Sequence, residues 1–288
     1  MLETFGARTL WAMHPDALGD LLKRGSIDAM LPDALKALAA FGGGAVAAKP
    51  ADPVRDGATV IIPLNGPLSP KGSYGGTSTE RFANQMRELG ADTSVGAIVI
   101  AAMSPGGLVY GTAEAGDAVY EVRQSKPVIA VASPYSYSAS HWICTQGTAY
   151  YASTSGGVGS VGVRGGHVDM SGFEDKIGMK TTLIASDPEK IAGHPYAPLT
   201  DEDRAEMQAE IDEMNEAFIA AIARGRGIDA SAVPGIHGSG RTFPAARAAT
   251  LGVTDGVMTL RDVVGKLSSS RARLALMRKR AAAMADAI

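Results

Sequence analysis

The chain has 288 residues, of which 45% are hydrophobic and 20% are charged, so its composition is that of a globular protein with a sizeable core. The 27 basic and 30 acidic side chains nearly cancel, which excludes the strongly basic surface expected of a protein that binds nucleic acid or an anionic membrane. One cysteine, Cys144, cannot form an internal disulfide, and its apolar neighbours predict a buried thiol.

The two ends of the chain are predicted to be helical extensions of one main domain. Leucines at helical spacing indicate two short helices at residues 14–23 and 28–41, which together form an N-terminal appendage over residues 1–41. A linker rich in glycine and proline, residues 42–53, precedes a domain that spans 54–266. The last segment, 267–288, is rich in arginine and is predicted to be a solvated helical tail.

The first residues include an early acid and lack an apolar stretch of signal-peptide length. Elsewhere, the longest apolar runs fall well short of the ~20 residues needed to span a membrane. The sequence therefore predicts a soluble cytoplasmic protein.

Within the main domain, strand patterns alternate with helix patterns. The alternation predicts an α/β fold with a mostly parallel sheet, flanking helices and right-handed crossovers. The predicted strands are residues 59–64, 97–102, 127–132, 149–152, 158–163 and 180–185. The predicted helices are residues 79–89, 112–123, 138–146, 172–177 and 201–224, the last with Thr200 and Asp203 as a capping pair.

Two motifs follow neighbouring predicted strands and suggest acyl transfer. Ser104-Pro105-Gly106-Gly107 ends the strand at 97–102, and glycines let a backbone approach a substrate closely. Ser138 follows the strand at 127–132, in a turn of small residues that opens a helix. A serine that attacks a carbonyl needs backbone N–H groups aimed at the developing oxyanion, so both strand ends are expected to face one reaction centre. From spacing alone, a simple turn and a capping serine remain open alternatives.

A serine nucleophile also needs a proton acceptor, and the sequence offers two kinds. For a Ser-His-Asp arrangement the local candidate is His167 with Asp169. A lysine works only when neutral, and at a reference pKa of ~10.4 only about one lysine in 2,500 is neutral at pH 7. Lys190 could serve only if burial lowered its pKa to about 7. The remaining histidines are interpreted as structural, with His141 on a helix surface and His14, His194 and His237 in turns.

Residues 58–265 resemble the signal peptide peptidase A family of serine peptidases, including its bacteriophage members that process capsid proteins, and more distantly the ClpP/crotonase fold. The motifs that support the resemblance are residues 104–107, 126–142, 159–163 and 186–190. The resemblance implies that Ser138 is the nucleophile and Lys190 the general base. It also implies an oxyanion hole formed by the Gly106 and Gly107 backbone with the N–H of Ala139, and a lysine-orienting role for Ser160. For Ser160, a structural turn residue is an equal alternative.

The same resemblance implies a ring-shaped homo-oligomer that needs neither metal nor nucleotide. It predicts a serine endopeptidase that cuts a capsid or scaffold protein in the host cytoplasm or assembling prohead, or a cytoplasmic relative that acts on other polypeptides. Three residues depart from the family pattern: Ala139 and Ser140 replace two glycines, and Met103 replaces an asparagine. A Ser-His-Asp peptidase, a crotonase-like acyl-CoA enzyme and a non-catalytic head-assembly protein remain alternatives.

Overall fold

The core of the protein is an eight-stranded, mostly parallel sheet, seen in a computed structural model that describes residues 11–13, 52–72 and 75–268. The strands are β1 (Trp11–Met13), β2 (Val54–Asp56), β3 (Thr59–Asn65), β4 (Ala97–Ser104), β5 (Gly106–Leu108), β6 (Val128–Tyr137), β7 (Ala149–Ala152), β8 (Gly157–Gly159), β9 (Thr242–Pro244) and β10 (Gly256–Val257). The helices are α1 (Thr79–Ala91), α2 (Thr112–Val122), α3 (Ala139–Thr145), α4 (Ser171–Ile177), α5 (Asp201–Arg226), α6 (Val233–His237), α7 (Ala245–Leu251) and α8 (260–268).

The main sheet has the strand order β10-β7-β6-β4-β3-β2, and its strands run parallel except for β2 at one edge. Beyond the end of β7, the last residues of β6 pair with β8, which pairs antiparallel with β9. β1 and β5 form a separate two-stranded antiparallel sheet. The predicted α/β class is confirmed, since parallel neighbours are joined through helices.

Helices cover both faces of the central strands, which explains why those strands are continuous apolar runs. On one face, buried residues of β4 and β6 pack with Phe82 and Met86 of α1 and with Val119 of α2. On the other face, Val99 and Val131 pack against Val263 of α8. The long helix α5 joins the site region through Phe218, whose ring stacks on Trp142 at a centroid distance of 4.7 Å.

The structure confirms the helices predicted over 79–89, 112–123, 138–146, 172–177 and 201–224 and the central strands, and it corrects the two strands predicted after residue 157. The strand predicted over 158–163 is limited to β8, and residues 180–185 form no strand. In the latter segment the apolar side chains are solvent-exposed, with Ile184 94% exposed, so this short run of β-branched and apolar residues is not buried in a sheet. β5, β9 and β10 are too short for a periodic pattern to reveal. The predicted helices at 14–23 and 28–41 and most of the tail lie outside the described residues.

None of the helices in the described ranges combines the length and hydropathy required to cross a bilayer.

Candidate active site

The sheet brings the two glycines and Ser138 to the same edge. β4 and β6 are parallel neighbours, and Ser104 at the end of β4 is the register partner of Ser136 near the end of β6. Gly106 and Ser138 each follow two residues later, so both lie at the carboxyl edge of the sheet. Ligands and reacting groups gather at this edge in parallel α/β folds because the strand ends and following loops converge there.

Ser138 has a backbone conformation that is rare for a residue with a side chain. It connects β6 directly to α3 with φ 54° and ψ −119°. Its N–H donates to the Gly159 carbonyl at 2.8 Å, and its own carbonyl accepts from the Trp142 N–H at 2.9 Å. Such strain costs about 1–3 kcal/mol and is held only where surrounding contacts enforce it, as at a strand-to-helix turn that presents a nucleophilic serine.

The backbone at Gly106 and Gly107 is shaped in a way that requires glycine. Gly106 has φ 97°, and a Cβ on Gly107 would collide with the carbonyl oxygen of Leu68. The Gly106 N–H donates to Ser104 Oγ at 3.2 Å, and the Gly106 carbonyl accepts from the Leu68 N–H at 2.9 Å. The Leu108 N–H donates to the Leu68 carbonyl at 2.9 Å. Because successive residues of a strand present their backbone to opposite sides, the Gly107 N–H and C=O face away from Leu68.

Ala139 and Ser140 occupy the first turn of α3, and both are buried. The Ala139 N–H, at the first helical position, has no acceptor within its own helix and remains a donor at this edge. Ser140 Oγ lies 2.7 Å from Ser136 Oγ, so its side chain forms a hydrogen bond within the protein interior.

Cys144 lies 3.4 Å from the same Ser136 hydroxyl, and burial raises the pKa of its thiol to about 12. The predicted burial of Cys144 is confirmed.

Ser160 lies close to Ser138, whereas Lys190 lies in an exposed turn. Ser160 follows Gly159, whose carbonyl binds the Ser138 N–H, and has its own positive φ of 59°. Lys190 lies in an exposed 3-10 turn, Pro188–Ile191. No hydrogen bond joins Lys190 to Ser138 within the described part of the chain. The pairing of Lys190 with Ser138 therefore stays a prediction.

The alternative base, His167, also makes contacts away from Ser138. Its Nε2 lies 3.0 Å from the carbonyl oxygen of His194. Asp169 accepts from the N–H and hydroxyl of Ser171, and these bonds lower the pKa of the exposed carboxyl. No hydrogen bond in the described ranges links His167 or Asp169 to Ser138, so the structure does not form a Ser-His-Asp arrangement in one subunit.

The prediction that His141 lies on a helix surface is wrong, because His141 is fully buried. Its Nε2 lies 3.0 Å from Nδ1 of His237, which is also buried, and its Nδ1 lies 3.3 Å from Tyr150 Oη. The sequence signal for this burial is the apolar run Trp142-Ile143-Cys144 that follows it. The contact between His141 and His237 could not be predicted from a local sequence pattern, since the two residues are distant in the sequence.

Burial should make this histidine pair sensitive to acid. Desolvation, together with the neighbouring His237 and Arg226, holds the pKa of His141 well below 6.5, and desolvation with Arg226 lowers the pKa of His237 to about 4. The unfolded chain gains protons below pH ~6.5 that the folded chain does not bind. Folding stability should therefore fall as pH drops from about 6.5 toward 4, by at most about 1.4 kcal/mol per histidine per pH unit.

This prediction is checked by urea unfolding at pH 7.5 and 5.5, with wild type and His237→Gln compared. The variant should lose less stability between the two pH values, because one titrating group has been removed. Equal pH dependence in both proteins would contradict a role for His237 in acid sensitivity.

Comparison with known proteins assigns the family. Residues 121–274, more than half of the chain, match Peptidase family S49. The chain belongs to this family. The match includes Ser138, Ser160 and Lys190, and the predicted resemblance to signal peptide peptidase A is confirmed. Within the described residues, no group of three or more histidine, cysteine, aspartate or glutamate side chains is placed to hold a metal ion.

Several curated proteins are similar to this S49 chain. Capsid assembly protease C of Escherichia phage lambda is 26% identical over 71% of this chain and 47% of its own length. Head-tail preconnector protein GP5 of Enterobacteria phage P21 is 26% identical over 64% of this chain and 36% of its own length. A candidate SppA signal peptide peptidase of Enterococcus faecium is 22% identical over 74% of this chain. The chain thus spans between a third and a half of the length of the two phage relatives.

Proposed function

We propose that this S49 protein is a serine endopeptidase in which Ser138 is the nucleophile and Lys190 the general base. The observation that carries the proposal is the strained backbone of Ser138 at the turn from β6 to α3, beside the glycine pair that follows β4. This arrangement resembles the turns that present a nucleophilic serine in other hydrolase folds. Membership of a peptidase family supports the same chemistry.

In the proposed mechanism, Ser138 Oγ attacks the scissile carbonyl carbon while neutral Lys190 accepts the hydroxyl proton. The carbonyl oxygen becomes an oxyanion, which the N–H of Ala139 and an N–H of Gly106 or Gly107 stabilise. Collapse of the intermediate breaks the peptide bond, and Lys190 returns the proton to the leaving amine. Water then attacks the acyl-serine ester and transfers a proton to Lys190. As the ester bond breaks, Lys190 passes that proton to Ser138 Oγ, which releases the second product and restores the free serine and the neutral lysine.

The proposed base must lose its contact with water, and we propose that assembly into a homo-oligomeric ring achieves this. Lys190 is exposed in the single subunit. The segment around it also exposes large apolar side chains, which favours contact with another copy of the chain. These side chains are Val168, Phe173, Ile177, Met179, Leu183, Ile184 and Tyr196. An interface over this segment would exclude water from Lys190, as a base that must act in its uncharged form requires.

We propose that the substrate is a capsid or scaffold polypeptide and that cleavage occurs during head assembly, in the host cytoplasm or the assembling prohead. Support comes from the names of the two phage relatives, one a capsid assembly protease and one a head-tail preconnector protein. The proposed substrate is tested by incubating the protein with the major capsid and scaffold proteins of the same genome and sequencing any new termini.

The proposed nucleophile is tested with a fluorophosphonate probe followed by peptide mapping. We expect one covalent adduct, on Ser138, in the assembled wild-type protein. Labelling of another serine would contradict the assignment of the nucleophile. Absence of labelling and of cleavage of an unstructured protein such as casein, under every assembly condition, would contradict the peptidase function.

A further inference from the structure

A short segment near the N-terminus lies on the strand that leaves the candidate oxyanion site. β1 pairs antiparallel with β5, with Trp11 opposite Leu108, Ala12 opposite Gly107 and Met13 opposite Gly106. Nothing in the main sheet pairs with β1 in the described ranges. The sole strand partner of this segment there is therefore the backbone that follows Ser104.

The pairing uses the backbone groups that a bound peptide would need. One side of β5 is already bonded to Leu68, through the Gly106 carbonyl and the Leu108 N–H. The Gly107 N–H and C=O face the other side, where Ala12 is the register partner. An extended substrate that added a strand to β5 would compete for the same two groups. In this arrangement the Gly107 N–H binds the substrate strand, so the glycine donor to the oxyanion is the Gly106 N–H, which now donates to Ser104 Oγ.

The direction of β1 is also that of a substrate. β5 runs away from the edge that holds Ser138, so an antiparallel partner runs toward that edge from its N-terminal to its C-terminal end. Trp11 lies farthest along β5, and Met13 lies opposite Gly106, nearest the proposed oxyanion donors. A chain in this orientation runs toward Ser138 from its N-terminal to its C-terminal end, as the acyl side of a substrate must.

We propose that Trp11–Met13 is a built-in competitor that occupies the acyl-side substrate strand of the protein's own active site. The inference rests on the proposed peptidase function. It goes beyond that function because it assigns residues 11–13 as an autoinhibitory segment. Substrate must displace β1 before it can reach Ser138.

The test uses the full chain with a substitution only at Ala12, the middle residue of β1, which lies opposite Gly107. Ala12→Pro removes the N–H that faces Gly107, and the loss of strand hydrogen bonds should lower the KM of an extended peptide substrate about fivefold or more. Ala12→Val keeps the N–H and favours extended backbone, so it should raise KM about twofold. Ala47→Pro, the same kind of substitution outside β1 in the predicted linker, is the matched control and should leave KM unchanged.

Amide hydrogen exchange of the β5 peptide gives a readout that does not depend on catalysis. Faster exchange in Ala12→Pro than in wild type and Ala47→Pro, together with the lower KM and faster fluorophosphonate labelling, would support the inference. Unchanged exchange would overturn the pairing. Faster exchange with measurable activity but an unchanged KM would overturn autoinhibition and leave the peptidase intact. Faster exchange with no labelling or cleavage in any variant would overturn the proposed function, and the inference with it.

Discussion

Ser138→Ala should reduce peptide hydrolysis by at least about a thousandfold and abolish fluorophosphonate labelling, because the hydroxyl that forms the acyl intermediate is gone. Ser138→Gly should be equally inactive but more stable than Ser138→Ala. At φ 54° a Cβ is strained and glycine is not, so the difference should be about 1 kcal/mol in favour of glycine. Urea unfolding of the two variants measures this difference, while casein cleavage measures the loss of activity.

Ser140→Ala is the matched control, because Ser140 is a buried serine two residues away whose hydroxyl contacts Ser136. It should lose stability by about 1 kcal/mol through the broken hydrogen bond but keep its labelling and most of its activity. If Ser138→Ala kept its labelling while Ser140→Ala lost it, the nucleophile would be misassigned. If glycine at position 138 gave no gain in stability over alanine, the backbone of Ser138 would be unstrained.

The combination of inactivity and higher stability would show that strain at this turn has a functional origin. Strain at an active site persists because the surrounding structure enforces it, and here that structure is the pair of backbone bonds to Gly159 and Trp142. The same bonds hold Ser138 in place beside the glycine pair. Position 138 would therefore trade stability for the position of a hydroxyl.

The parts of the fold that could be predicted from sequence are those where burial dictates the pattern. β3, β4 and the first half of β6 are largely buried on both faces, so each contains an apolar run with a clear beginning. Adjacent parallel strands end at the same edge, which was enough to predict that residues 104–107 and Ser138 lie together. The cap of α5 was also local, since Thr200 Oγ1 accepts from the Asp203 N–H at 3.0 Å.

The parts that escaped prediction depend on contacts between residues distant in the sequence, or lie in exposed segments. The histidine pair joins α3 to the end of α6, and no local pattern links these residues. Residues 180–185 predicted a strand because threonines and apolar residues are common in strands, yet Leu183 and Ile184 are exposed. Such residues have a physical partner only if another molecule covers them, which is why the pattern misassigned the segment that precedes Lys190.

Substitution of the proposed base should cause the second large loss of activity, and substitution of a nearby exposed lysine should not. Lys190→Ala should reduce turnover by about 10²- to 10⁴-fold, the usual contribution of a general base, with stability unchanged within about 0.5 kcal/mol because the side chain is exposed in the single subunit. Lys180→Ala removes another exposed lysine of the same segment and should keep full turnover. Casein cleavage at equal concentrations of assembled protein measures both. Undiminished turnover in Lys190→Ala, or a matching loss in His167→Ala alone, would remove Lys190 from the mechanism.

If assembly is what makes Lys190 a base, a charge placed among the exposed apolar side chains around Lys190 should reduce turnover as Lys190→Ala does. The lysine itself would be unchanged. Ile184→Asp should yield a smaller species in sedimentation velocity and lose activity in parallel, because an unpaired carboxylate is costly to bury at an interface. Val54→Asp, at another exposed apolar position that is 60% exposed on the edge strand β2, is the control and should assemble and cleave normally. An Ile184→Asp protein that is monomeric yet fully active would show that a single subunit forms the complete site, and that Lys190 works without the dry environment that assembly was invoked to provide.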